Sequence, residues 1–305
     1  MVVKCDTYED LIQINPIDLQ LMSDENLMQM FKLITLDQIM FLMDNINDVN
    51  RKLHNDKRII HYVCICSTPE IIKFVIDEGV DLECECVGKI RPIHCICSYS
   101  TLEMLKYIID KGVNFECATI NGYRPIHIIC QYSTPDAIKY IIDKGVDLEC
   151  ETIDKFRPIH IICQKSTPEM IEYIINKGVN LECETEKKYR PIHYICKHST
   201  PEMIEFIINK GVNLECETIN KVRPIHIIAS DPINSVSGTL KYIIDENVDL
   251  ECKTVYGYRP IQYICAFSSR DMFNYVKNKG VNMENFNALQ SYSLLSFFMP
   301  NTEYL

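Results

Sequence analysis

The residues of this chain best suited to chemistry are histidines and cysteines, and both recur at a fixed spacing. Imidazoles ligate zinc and act as general bases, so a row of them raises the question of a metal centre or a catalytic site. The 16 cysteines raise the further question of thiolate ligands or nucleophiles. Six of the eight histidines stand 33 positions apart: His61, His94, His127, His160, His193 and His226.

Most cysteines occupy two columns, one three residues after the histidine position and one in the following loop. Ala229 replaces cysteine in the first column, which indicates that this position requires a small apolar side chain. The C-x2-C spacing typical of zinc sites is missing from the sequence, so we predict no metal ligation. The columns are Cys64, Cys97, Cys130, Cys163, Cys196 and Cys265, and Cys84, Cys117, Cys150, Cys183, Cys216 and Cys252.

The same period governs the whole chain. Arg-Pro-Ile-His occurs at 91–94, 124–127, 157–160, 190–193 and 223–226. A variant lies 33 residues upstream at 58–61, and another lies 36 residues downstream at 259–262. A glycine also recurs at the same position of every repeat, except in the sixth repeat, where Asn247 replaces it. The two recurring features together define seven repeats.

One repeat, taken from Arg157, predicts two helices joined by a turn and followed by a loop. Pro158 suits the first turn of a helix, because proline has no N–H to lose there. Thr167-Pro168-Glu169 supplies an N-cap hydroxyl, a proline and an acid for a second helix. Gly178 stands where a left-handed C-cap is needed, and Asn247 also tolerates that conformation.

A 33-residue repeat of a turn and two helices resembles the ankyrin repeat, whose Thr-Pro-Leu-His motif reads Arg-Pro-Ile-His here. The resemblance implies an all-α solenoid of stacked helix-turn-helix-loop repeats. Arginine replaces threonine, so the family's threonine–histidine contact does not carry over. The near-identical STPEMI and GVDLEC blocks further resemble the ankyrin proteins that amoeba-infecting giant viruses of the mimivirus type encode.

If the repeats stack, the histidines are spaced one repeat apart and do not form a cluster. Neighbouring helices pack about 8–10 Å apart, whereas zinc ligands lie about 2 Å from the ion, so the column cannot converge on one metal. In the family this histidine anchors a turn through hydrogen bonds. Because the sequence also lacks a phosphate-binding glycine loop, a nucleophile elbow and an H-E-x-x-H motif, we predict a protein that is not an enzyme and holds no cofactor.

Composition and charge limit where in the cell the protein is expected and which classes of molecule it is expected to bind. The formal charge of −11 has the wrong sign for binding nucleic acid or anionic lipid mainly through lysine and arginine. The sequence shows neither a secretory signal nor an apolar run long enough to span a membrane. We therefore expect a cytoplasmic monomer (in the host cytoplasm if viral) that binds a protein, and neither nucleic acid nor membrane.

The domain organisation predicted from these columns has four parts. Residues 1–24 form a segment of unassigned role, and residues 25–57 form a degenerate N-terminal capping repeat. Residues 58–291 hold the seven repeats, with a three-residue insertion near 230–238. Residues 292–305 form a C-terminal capping half-repeat, because a solenoid needs terminal elements with polar outer faces.

Function in such a fold lies on the surface, and repeat arrays bind through an extended concave face. We predict a protein-interaction scaffold; the alternative is an adaptor whose residues 1–24 recruit a ubiquitin ligase or other host machinery. The predicted contacts follow each histidine and precede each arginine, although these rings could instead pack on neighbouring loops. They are Tyr62, Cys95, Ile128, Ile161, Tyr194, Ile227 and Tyr263, and Ile90, Tyr123, Phe156, Tyr189, Val222 and Tyr258.

Charge repeats in the same register. Arginine recurs at 58, 91, 124, 157, 190, 223 and 259, and glutamate at 83, 116, 149, 182, 215 and 251. Stacked like charges repel, so we predict that the arginines and the loop glutamates alternate and pair, each exposed pair contributing about 0.2–1 kcal/mol.

Overall fold

The protein is built of paired α-helices separated by loops. The computed structural model describes residues 18–98, 101–231 and 238–283, which form sixteen α-helices, two short 3-10 helices and no β-strand. The chain divides into two compact units, Met1–Ile153 and Asp154–Leu305. The predicted all-α repeat fold is therefore confirmed.

The N-terminal unit holds eight of these α-helices. In its repeats a first helix pairs with a second helix, and first helices pack on first helices of the next repeat, as α3 does on α5. The 3-10 helices are Asp18–Gln20 and His54–Asp56. The α-helices are α1 (Asp24–Leu33), α2 (Leu36–Asn45), α3 (Ile59–Cys66), α4 (Pro69–Asp77), α5 (Pro92–Cys97), α6 (Leu102–Asp110), α7 (Pro125–Tyr132) and α8 (Pro135–Asp143).

The C-terminal unit repeats the arrangement with eight further helices. The predicted starts at Pro158 and Pro168 are confirmed, since α9 and α10 begin there. Asn247 is confirmed as a left-handed helix end, with φ of 60°. The helices are α9 (Pro158–Lys165), α10 (Pro168–Asn176), α11 (Pro191–His198), α12 (Pro201–Ile208), α13 (Pro224–Ser230), α14 (Thr239–Asp245), α15 (Pro260–Phe267) and α16 (Arg270–Asn278).

Three predicted segments lie wholly or largely outside the described residues. They are residues 1–17 of the N-terminal segment, residues 232–237 of the insertion, and the C-terminal half-repeat at 292–305. Within the predicted N-terminal capping repeat, α1 and α2 form a helix pair, and Thr35 caps α2 by accepting a hydrogen bond from the Gln38 N–H at 3.3 Å.

The core of each repeat is aliphatic. On α9 the side chains of Ile159, Ile162 and Cys163 are buried, as the helical spacing predicts. Met170 and Ile174 on α10 belong to the stripe that faces them and are also buried. A helix pair of this length cannot bury its apolar stripe alone, so each repeat depends on its neighbours for a core.

The repeated histidine fastens the start of each first helix to the loop that follows. In α11 the Arg190 N–H donates to His193 Nδ1 at 3.0 Å, and the His193 N–H donates back to the Arg190 carbonyl at 3.0 Å. On the other side of the ring, the Nε2–H of His160 donates to the Cys183 carbonyl at 3.2 Å. The arginine backbone thus makes the contact for which the family uses a threonine side chain.

This geometry requires a neutral imidazole, because Nδ1 accepts a hydrogen bond and cannot carry a proton at the same time. Burial lowers the pKa of His193 and of His226 to about 4. Burial also lowers the pKa of His61 and of His94. The histidine column is therefore an architectural element that acid should weaken.

The predicted pairing of arginine with loop glutamate is confirmed for five arginines: Arg91, Arg124, Arg190, Arg223 and Arg259. Arg190 shows the full pattern. Its Nε and Nη2 donate to Glu184 at 2.9 and 2.8 Å, and its Nη1 donates to Glu182. The second oxygen of Glu182 accepts the backbone N–H of Asn213 from the next repeat at 2.9 Å.

We call each such carboxylate a bridging glutamate, because it joins an arginine to the backbone of the following repeat. Glu83 does the same for Arg91 and the Asn114 N–H, and Glu215 for Arg223 and the Asp249 N–H. The pairs and the backbone N–H groups are partly solvated, so each contact contributes modestly.

We expect the free energy of unfolding to fall as the pH drops from about 6.5 to about 4. In the unfolded chain histidine binds a proton near pH 6.5. Folded His193 and His226 resist protonation until about pH 4, so the unfolded state gains stability across this interval and the loss levels off below it. Each pKa unit of difference costs up to about 1.4 kcal/mol per histidine. Urea unfolding followed by circular dichroism across this range measures the loss.

A His193→Gln/His226→Gln variant is the matched control, because the seventh repeat already uses Gln262 to accept the Arg259 N–H. Its stability should depend less on pH over the same interval. Equal pH dependence in the variant and the natural chain would contradict the assignment.

We expect Glu182→Ala to lower the free energy of unfolding by about 1 kcal/mol, because it unpairs one arginine contact and one backbone N–H. Glu186→Ala is the matched control, since Glu186 lies exposed at a loop tip and no contact of its carboxylate is found among the described residues. Urea titrations of both variants compare them; an equal loss in both would refute the bridging role.

Candidate interaction surface

The loop cysteines lie against the histidines, in an arrangement that resembles a thiol–imidazole pair. Cys183 Sγ lies 3.6 Å from His160 Nε2, and Cys216 Sγ lies 3.8 Å from His193 Nε2. A nucleophilic pair needs a thiolate beside an imidazolium. Burial raises the pKa of Cys216 to about 12 and lowers the pKa of His193 to about 4, so both groups are neutral. The pair packs the core and holds no reactive thiolate.

The first cysteine column is buried more deeply still. Burial raises the pKa of Cys64 and of Cys97 far above the usual value of a thiol. Over the part of the chain that the structure describes, no group of three or more His, Cys, Asp or Glu side chains is placed to hold a metal ion. In the same residues, no helix is long and apolar enough to cross a membrane.

The predicted exposure of the position after each histidine is wrong for four of its seven residues. Ile128, Tyr194 and Ile227 are half-buried and reach the surface. The side chains at the same position of the other repeats are buried: Tyr62, Cys95, Ile161 and Tyr263.

Neighbouring rings account for much of this burial. The ring of Tyr62 stacks on Phe31 of α1 at 5.7 Å, and its hydroxyl donates to Asp24. Tyr263 packs against His226 at 5.8 Å and Tyr258 at 6.2 Å. Side chains from an adjacent repeat can thus enclose this position, which the sequence of a single repeat does not reveal.

Ile161 lies in the first turn of α9 and is only 4% exposed. The Tyr194 ring of α11 lies 6.0 Å from the ring of His160, the residue before Ile161. Ile161 therefore belongs to the core, while Tyr194 takes the outer position.

The position before each arginine keeps part of its surface in every repeat. Tyr123 is the most open of these residues, at 37% exposure, and the others are half-buried: Ile90, Phe156, Tyr189, Val222 and Tyr258. The rings of Tyr123, Phe156 and Tyr189 also lie edge-on to the histidine of their own repeat, Tyr189 at 5.7 Å from His193. Each ring therefore supports the histidine on one side and faces solvent on the other.

In the N-terminal unit these positions surround a cavity of about 450 Å³. Its walls include Ile90, Cys95, Tyr123 and Ile128, four of the predicted contact residues, drawn from two consecutive repeats. Ile65, from the end of α3, completes the apolar wall and was not predicted. We call this set the N-terminal patch.

In the C-terminal unit the corresponding surface is aromatic. The rings of Tyr189 and Tyr194 lie 5.6 Å apart, and Phe156 lies 6.2 Å from Tyr194. Burial raises the pKa of Tyr189, which is consistent with a ring held against its neighbours. We call Phe156, Tyr189 and Tyr194 the aromatic patch.

The sequence reasoning missed a second apolar column at the loop tips. These side chains are 50–65% exposed, although they are aliphatic: Val87, Ile120, Ile153, Ile219 and Val255. Their backbones join consecutive tips, for the Ile120 N–H donates to the Gly88 carbonyl at 2.7 Å and the Ile153 N–H to the Asn121 carbonyl at 3.0 Å. The available signal was the recurrence of an aliphatic residue in the polar loop, usually just after a threonine.

Comparison with known proteins agrees with this architecture. The family model for ankyrin repeats (3 copies) matches residues 60–152 and 126–218, which together span more than half of the chain. No curated protein matches the sequence. With the 33-residue helix pairs and the buried histidines described above, the match shows that the chain belongs to the ankyrin repeat family.

Proposed function

We propose that this protein is a non-enzymatic scaffold that binds a partner protein through its N-terminal patch and its aromatic patch. Ankyrin repeats are in general protein–protein interaction modules. The observation that carries the proposal is the 450 Å³ cavity, because it brings together predicted contact residues of two repeats in one open, mainly apolar hollow. A partner side chain that entered the cavity would be desolvated against Ile90 and Ile128.

The internal chemistry supports a binding role over a catalytic one. The repeated imidazoles are hydrogen-bonded and neutral, and the repeated thiols are buried and protonated, so both columns serve the fold. Variation among repeats falls on the surface positions instead. Residue 128 is isoleucine and residue 194 is tyrosine, while the arginine and histidine of the motif stay the same in both repeats.

Because the chain resembles giant-virus ankyrin proteins, we expect the partner to be a host protein. An extract of amoebal cells is therefore the sample in which to search for it. The protein would then act as a monomer in the host cytoplasm. The tagged full-length chain should capture one abundant partner from such an extract.

We expect an Ile128→Asp/Tyr194→Asp/Ile227→Asp variant to reduce capture of that partner at least tenfold, since burying an unpaired carboxylate in an apolar contact costs several kcal/mol. All three side chains reach the surface, and circular dichroism of the variant checks that the fold persists. Ile161 is unsuitable for this test, because its burial would confuse loss of binding with loss of folding. Quantitative mass spectrometry of the captured proteins gives the comparison.

A Met40→Asp/Phe41→Asp variant provides the matched control, because both residues are exposed and apolar and lie on α2, outside the patches. It should capture as much partner as the natural chain. Undiminished capture by the triple variant, with its circular dichroism unchanged, would refute the proposed surface.

A further inference from the structure

Several lysines just after the second helices are engaged by neighbours: Lys210 lies over the Phe206 ring at 4.9 Å, and Lys279 pairs with Asp245 at 2.7 Å. Lys165 and Lys197, at the ends of first helices α9 and α11, differ. Within residues 18–98, 101–231 and 238–283 they make no ion pair and no ring contact, although the chain as a whole is rich in acid.

These two lysines form a cluster with His198. Lys165 and His198 occupy the same position of consecutive repeats, 33 residues apart, and α9 packs against α11. The pKa of His198 is lowered, first by burial and then by the positive charges of Lys197 and Lys165. We call Lys165, Lys197 and His198 the basic edge.

The basic edge shares a helix face with the aromatic patch. Tyr194, Lys197 and His198 stand at i, i+3 and i+4 along α11, so their side chains project from one side of that helix. One helical turn, about 5 Å, separates the ring from the charges. Asp231, at the end of α13, takes the equivalent position in the next repeat and ends the run of positive charge.

We propose that the aromatic patch and the basic edge together bind an extended acidic segment of the partner protein. This inference rests on the proposed function and specifies the chemistry of its ligand. An aromatic or aliphatic side chain of the segment packs on Phe156, Tyr189 and Tyr194, and a carboxylate reaches the basic edge. An extended chain advances about 3.3 Å per residue, so the acid lies one or two positions from the apolar residue.

An acidic peptide fits this surface better than a nucleic acid. The basic edge offers three groups over two repeats, whereas nucleic acid requires a long track of cations along its phosphates. The arginines that could extend such a track are already paired with carboxylates, as Arg190 and Arg223 are. The formal charge of −11 would repel a long polyanion elsewhere.

The experiment is a selection of random 12-residue peptides, displayed on phage, against the full-length protein. We expect the enriched peptides to carry Asp or Glu one or two residues from an aromatic or aliphatic residue. A Lys165→Glu/Lys197→Glu variant should bind synthetic copies about 10–100-fold more weakly in fluorescence anisotropy, because two attractions become repulsions. Raising the salt concentration should weaken binding to the natural chain and have less effect on the variant.

A Lys106→Glu/Lys144→Glu variant is the matched control. It makes the same change in net charge at exposed lysines that lie over the Tyr140 ring, away from the basic edge. Its affinity for the selected peptides should stay within about twofold of that of the natural chain. Equal circular dichroism of all three proteins excludes unfolding as the cause of any loss.

Other results would overturn the inference. Enriched peptides that contain no Asp or Glu, or equal affinity for the Lys165→Glu/Lys197→Glu variant, would show that the basic edge takes no part in binding. If the Ile128→Asp/Tyr194→Asp/Ile227→Asp variant failed to bind these same peptides, the proposed function would still be supported. Tighter binding of a single-stranded 12-nucleotide RNA than of any peptide would also overturn it. Failure to recover any peptide, together with no captured protein, would reject the proposed function and this inference with it.

Discussion

The structure depends on a neutral imidazole held between two stretches of backbone. In six of the seven motifs a histidine accepts the N–H of the arginine just before its own helix, as His193 does from Arg190. Its opposite nitrogen faces the loop 23 residues later, as His160 faces the Cys183 carbonyl. A helix of eight residues has little stability of its own. The buried ring supplies the tertiary contact that fixes where the helix starts and where the next loop turns.

Because the arginine contributes its backbone to this contact, its side chain is free for a second task. The guanidinium donates hydrogen bonds to carboxylates of the loop, as Arg190 does to Glu182 and Glu184. A bridging glutamate also accepts a hydrogen bond from a backbone N–H of the next repeat. The apolar interior gives most of the stability, while this polar layer sets the alignment of one repeat on the next.

Much of the fold could be read from the sequence because the repeat presents the same local signals many times. Pro158, Pro168 and Asn247 act through their own backbones, so their roles follow from residue type alone. The pairing of arginine with glutamate could also be predicted, since stacking brings like charges together at a fixed interval and requires a counter-charge.

The candidate surface was harder to predict, because exposure depends on side chains from another repeat. Nothing in the sequence near Ile161 signals that it is buried while Ile128 and Ile227, at the same position of other repeats, reach the surface. The contact between Cys183 and His160 is likewise non-local. The basic edge depends on two helices together and on the lack of an ion pair for Lys165 and Lys197 among the described residues, and only the folded chain shows both.

The bridging glutamate has a consequence for how such a chain evolves. Glu83 and Glu182 each recognise an N–H of the next repeat, a group that almost every amino acid carries, and make no demand on the side chain there. This contact therefore places no side-chain requirement on the repeat that follows. Duplication or deletion of a whole 33-residue block leaves the joints intact, so the gene can lengthen, shorten or recombine its array while the outward-facing residues diverge.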